Sequence, residues 1–243
     1  MYFKKSFLCS IPVGIALALE LAIAPSLATL NQTKVEVSQL KQANPPPPPD
    51  NPDSSAAGGR RAPAACPQDA EIAKGSPLLT ALSPTTKPGL TLAKPTFLVY
   101  VPKTSAKNAE FSLSSRDGRG VYRTTIALTN TPDFVSISLP PQAPSLEVGK
   151  QYTWTFAIIC NPDDRLADQF VTGSVQRTEL DPTQKSQIEQ TPASQRLALY
   201  EKDGIWYDAI ALLFELKRSQ PNDPSLNAAW REFLRSGGID LTI

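Results

Sequence analysis

The residues of this 243-residue chain that could do chemistry are carboxylates, cysteines and a few aromatics, because histidine is absent. Without imidazole there is no Ser-His-Asp or Cys-His arrangement and no histidine-bound zinc or iron. The acids are densest in NPDDRLAD, which holds Asp163, Asp164 and Asp168. Two carboxyl groups about 5 to 10 Å apart across a cleft can hydrolyse a glycosidic bond, and this cluster, with Glu110, is where such a pair could assemble. The same Asn161, Asp163, Asp164 and Asp168 offer oxygen ligands of the kind calcium takes, at a spacing unlike that of the helix-loop-helix calcium loop. A solvated turn explains these acids more cheaply than either chemistry. No phosphate-cradling glycine loop occurs: Gly58-Gly59 lies among Ser, Ala and Arg, and Gly237-Gly238 reads as a helix stop. No catalytic residue and no cofactor is therefore expected.

The cysteines depend on what precedes them. MYFKKSFLCSIPVGIALALELAIAPSLA has a basic start at Lys4 and Lys5, an apolar middle and a small-x-small ending at Ala28. That is the layout of a secretory signal peptide spanning 1–28. Glu20 interrupts the apolar run and disfavours a permanent membrane helix, which needs about 20 apolar residues. Cleavage removes Cys9 and leaves Cys66 and Cys160. In an oxidising compartment such a pair is most simply a disulfide; two buried thiols are the alternative. Loss of Lys4, Lys5 and Glu20 from 24 basic and 23 acidic residues leaves no net charge, which argues against nucleic acid as a partner. No later stretch is long and apolar enough to span a membrane, so the chain reads as secreted or periplasmic.

Three regions must position these groups. Residues 29–63, with five consecutive prolines from Pro45 to Pro49, predict a disordered, extended spacer. Residues 64–182 read as short strands: 78–82, 90–92, 96–101, 109–113, 121–128, 134–139, 152–160 and 170–179. Alternation in FVSISL and YTWTF, with turn signals every dozen or so residues, predicts an antiparallel β-sandwich. Arg116-Asp117-Gly118-Arg119-Gly120 supplies a hairpin turn. Leu146, Gly149 and Tyr152 look like the tyrosine corner of fibronectin type III and immunoglobulin-like domains, in which the hydroxyl bonds back to nearby backbone.

Residues 183–243 turn to helix formers. Three amphipathic helices are expected, from Thr191-Pro192 to Asp203, from Ile205 to Ser219, and from Asp223-Pro224 to Gly237. The fold class is thus mainly β with an α appendage. Tyr200, Gly204, Ala209 and Pro221 fall at the spacing of a tetratricopeptide repeat, although one repeat and a capping helix are too few for a solenoid. This predicts tetratricopeptide-like helix packing with a groove that could take a peptide. Trp206 and Tyr207 are binding candidates, because aromatics anchor interfaces and sugar sites; the alternative is a plug packed against the sandwich.

The strings PTFLVYVP (95–102), YRTTIALTN (122–130), VGKQYTWTFAIIC (148–160), GSVQR (173–177) and GIWYDAIALLFELKRSQPNDP (204–224) together resemble a cyanobacterial family of unknown function, DUF928, over about residues 65 to 238. The resemblance implies an exported envelope protein and carries no catalytic residues. The expected function is non-catalytic binding of an envelope protein or a surface polysaccharide. The alternative is a carbohydrate-active hydrolase or polysaccharide binder using the sandwich-end loops.

Overall fold

A computed structural model describes residues 65–72 and 76–241. The expected signal peptide and spacer lie outside these residues. Eight strands come first: β1 (Thr80–Ala81), β2 (Gly89–Thr91), β3 (Thr96–Val101), β4 (Asn108–Ser115), β5 (Gly120–Ala127), β6 (Asp133–Ser138), β7 (Gln151–Ile158) and β8 (Gln169–Arg177). They form a three-stranded sheet, β1-β3-β6, and a five-stranded sheet, β2-β8-β7-β4-β5. Each strand falls within a couple of residues of its sequence expectation, because alternation dictates which residues face the core. On β7 Tyr152, Trp154, Phe156 and Ile158 point inward and are buried. On β4 Ala109, Phe111 and Leu113 do the same.

Two expectations are corrected. The larger sheet is mixed rather than antiparallel, because β2 pairs parallel to β8, with Gly89 opposite Val175. A parallel neighbour cannot be joined by a hairpin, and the chain crosses to the other sheet between the two. Four helices follow the strands instead of three: α1 (Pro182–Gln190), α2 (Ala193–Lys202), α3 (Trp206–Ser219) and α4 (Pro224–Ser236). The overlooked α1 buries only Ile188, so it has no apolar stripe to read. Its signal was the cap. Asp181 accepts from the Thr183 and Gln184 amides, the Gln184 side chain returns to the Asp181 amide, and Pro182 opens the helix.

The smaller sheet is a middle layer. Toward the larger sheet Phe97 on β3 meets Phe111 at 5.0 Å and Trp154 at 5.3 Å between ring centroids. Toward the helices Phe134 on β6 meets Phe214 of α3 at 5.7 Å and Trp230 of α4 at 5.3 Å. Covered on both sides, β3 reads as the unbroken apolar run Phe97-Leu98-Val99-Tyr100-Val101, all buried. Strands and helices thus belong to one hydrophobic core.

Local devices fix the connections. The Glu147 amide donates to the Tyr152 hydroxyl at 3.0 Å, and Gly149 turns the chain with φ +77°, which is the hydroxyl-to-backbone bond expected there. Lys94 Nζ donates to the carbonyls of Pro140, Pro141 and Ala143 and gathers the loop after β6. Cys66 and Cys160 are joined across a sequence separation of 94, pinning the start of the described chain to the end of β7. In the chain-entropy view a bridge closing a loop of this length stabilises by roughly 4 to 5 kcal/mol. Replacing both cysteines by serine should lower the unfolding free energy in urea by about that amount; a loss below about 1 kcal/mol would show that the reduced chain is already restrained.

Candidate functional site

The loop acids are engaged in local structure. Asp164 accepts the Leu166 amide at 3.0 Å and caps the single turn 165–167. Asp168 accepts the Cys160 amide at 3.2 Å and pairs with Arg165. Glu110 lies 3.8 Å from Arg123 and 3.9 Å from Arg165. Asp163 is exposed, its amide donating to the Asn161 side chain. None of these four acids lines the clefts described below, and among the described residues no group of three or more acids or cysteines is placed to hold a metal ion.

Trp206 and Tyr207 open α3 and point in different directions, as neighbours on a helix must. Tyr207 is fully buried. Its hydroxyl donates to the Ser174 carbonyl on β8 at 2.9 Å and accepts the Trp154 indole N–H of β7 at 2.7 Å. Ser83, just after β1, completes the set at 3.0 Å. A hydroxyl has one proton and two lone pairs, so every valence is matched, and burial pushes the phenol pKa far up. The ring lies so close to β2 that a Cβ on Gly89 would meet it at 2.5 Å. Trp206 is 8% exposed, donates its indole N–H to the Leu82 carbonyl at 3.0 Å, and stacks on Phe233 of α4 at 4.2 Å. A Cβ on Gly237 would meet that indole at 2.2 Å.

The outer edge of Trp206 lines a cleft of about 480 Å³, within the roughly 300–1,000 Å³ typical of small-ligand sites. One wall is the 84–89 loop; the others come from α2, the start of α3, and α4. Leu197, Tyr200, Trp206, Ala229 and Phe233 make its apolar surface, and Glu201, Glu232 and Lys87 are its charged groups. Partial burial, and then the like charge of Glu232, raise the Glu201 pKa. Asp208, in the first turn of α3, accepts from the Thr91 hydroxyl at 2.9 Å and the Leu92 amide at 3.1 Å, which ties α3 to the end of β2. Burial raises its pKa against those stabilising hydrogen bonds.

A second, more polar concavity of about 740 Å³ lies on the far side of α4, with Lys217, Arg231 and Arg235 facing Asp240. Lys217 there sits 5.4 Å above the Trp230 ring and donates to Asn227 at 2.7 Å. Burial, and then the Arg231 charge, lower its pKa.

Residues 56–243 match the family described as Domain of Unknown Function (DUF928). The chain belongs to the DUF928 family. No curated protein matches it. A solved structure, CopC from Methylosinus trichosporium OB3b, is similar over 42% of this chain and 97% of its own, at 15% identity and a TM-score of 0.29; a likeness that slight carries no argument.

Sequence reasoning about this DUF928 chain reached part of the cleft. Tyr200, Gly204 and Ala209, singled out for tetratricopeptide-like spacing, all line it. Glu201, Glu232 and the 84–89 loop were missed, since nothing in sequence links a loop before β2 to helices more than a hundred residues on.

Three outcomes follow from this geometry. Tyr207→Phe takes the hydroxyl partner from the Trp154 N–H, the Ser174 carbonyl and Ser83 in the core and should cost about 1 to 3 kcal/mol in urea unfolding. Ser83→Ala should cost less, because Tyr207 keeps two partners. Glu232→Gln removes the like charge facing Glu201, so the Glu201 pKa should fall toward the ordinary carboxylate value in an NMR titration; an unchanged value would assign the rise to burial alone.

Proposed function

We propose that this protein is a non-catalytic binding module of the cell envelope, exported to the periplasm or beyond, and that the cleft between α2, α4 and the 84–89 loop is its binding site. The observation carrying this reading is the cleft itself: a hollow of about 480 Å³ that sets apolar side chains beside carboxylates, on a fully bonded anchor. Export is supported by the Cys66–Cys160 bridge, since disulfides persist in oxidising compartments. Among the described residues no helix is long and apolar enough to cross a membrane.

The finer architecture belongs to the same reading. An immunoglobulin-like sandwich is supported by the Tyr152 corner, and tetratricopeptide-like packing by the pairing of α2 with α3, with Tyr200 and Ala209 buried. The hydrolase alternative receives no support from its nominated acids, because Asp163, Asp164, Asp168 and Glu110 stand outside the cleft.

The test is retention of envelope material by the purified protein and by Ala229→Trp, which places an indole inside the cleft. Loss of a retained partner by Ala229→Trp, with unchanged thermal unfolding, is the expected outcome. Equal retention by both proteins would remove the cleft from the function.

A further inference from the structure

We infer that the cleft takes a lysine or arginine side chain from an extended segment of a partner protein, its aliphatic stem against the apolar wall and its charge between Glu201 and Glu232. This rests on the reading of the cleft as a binding site and adds the chemistry of the occupant.

The argument is one of complementarity. Glu201 and Glu232 come from different helices, yet both line the cleft at its exposed margin, and the like charge of Glu232 helps raise the Glu201 pKa. Neither has an ion-pair partner among the described residues. Among the described residues Lys87 is the one cation of the lining, against two carboxylates. A guest cation would relieve the repulsion between the two carboxylates.

The remaining surface selects for a long apolar stem. Two donors of the lining are already engaged within the protein: the Trp206 indole N–H goes to Leu82 and the Ser236 hydroxyl to Phe233. Lysine and arginine carry an apolar stem ending in a charge, which matches a wall of Leu197, Trp206, Ala229 and Phe233 beneath two acids.

Other occupants fit less well. A sugar ring stacks on an open aromatic face, and Trp206 has one face on Phe233 and bears on the backbone of Gly237. Divalent cations favour more oxygen ligands than two carboxylates supply. An anion would meet both glutamates.

The probes are three capped five-residue alanine peptides with lysine, norleucine or glutamate at the centre, titrated into the disulfide-bonded protein and followed by amide NMR shifts. The lysine peptide should move the amides of Glu201, Phe233 and Gly237, and the other two should not. The double variant Glu201→Gln, Glu232→Gln, whose side chains are exposed enough to leave folding intact, should weaken lysine-peptide binding by at least about tenfold, equivalent to about 1.4 kcal/mol. Equal binding of the norleucine peptide, an unaffected double variant, or no lysine-peptide binding at millimolar concentration would each overturn the proposal. An envelope partner lost by Ala229→Trp but kept by the double variant would overturn the cationic occupant while leaving the cleft a binding site. Retention by both variants would overturn both readings. Self-association abolished by Ala229→Trp, with no effect of the double variant, would name a second copy as occupant and overturn the proposal.

Discussion

The Tyr207 hydroxyl binds the helical segment to both sheets at one point. It receives the Trp154 indole from β7, donates to the Ser174 carbonyl on β8, and contacts Ser83 beyond β1. Both sheets and the first turn of α3 therefore converge on one oxygen atom. A buried polar group with a vacant bond costs more than the bond itself contributes. The helical segment consequently cannot drift over the sheets without orphaning donors in the core. Aromatic packing reinforces the position, with Phe97 edge-on to Tyr207 at 5.3 Å between centroids.

The cleft is a by-product of that anchor. With Tyr207 committed inward, the next residue back along the helix must face elsewhere, and Trp206 lands against α4 and the loop before β2. Its stacking on Phe233 fixes the distance of α4 from the start of α3. Gly89 and Gly237 allow the two rings to bear directly on backbone. The hollow between α2, α4 and the 84–89 loop is what remains once these rings are seated, so its floor is set by the core.

Much of the β architecture was legible because period-two burial is written residue by residue, as in Gln151–Ile158, where every second side chain is inside. The Cys66–Cys160 pairing followed from counting. The parallel pairing of β2 was not legible: Gly89–Thr91 is too short to show which neighbour it chooses, and that choice depends on Val175 and on the ring of Tyr207 above Gly89. The helix Pro182–Gln190 escaped because its evidence is capping, which periodicity does not register. Trp206 and Tyr207 were recognised as important but indistinguishable by type; only the fold separates the one engaged by two sheets from the one that borders the cleft. The glutamates of the cleft had no signature, since solvated helix faces carry the same residues.

The disulfide also decides how the protein would bear load. Cys160 lies just past the end of β7, whereas Tyr152 at its start pairs with Val175, which neighbours the Gly89 that borders the cleft. Those two points are separated by most of the strand's length, about 25 Å at the usual rise per residue. A tether pulling on the chain before Cys66 and a guest held in the cleft would therefore draw along the strands. Neighbouring ladder bonds would share such tension in shear instead of opening one after another like a zipper.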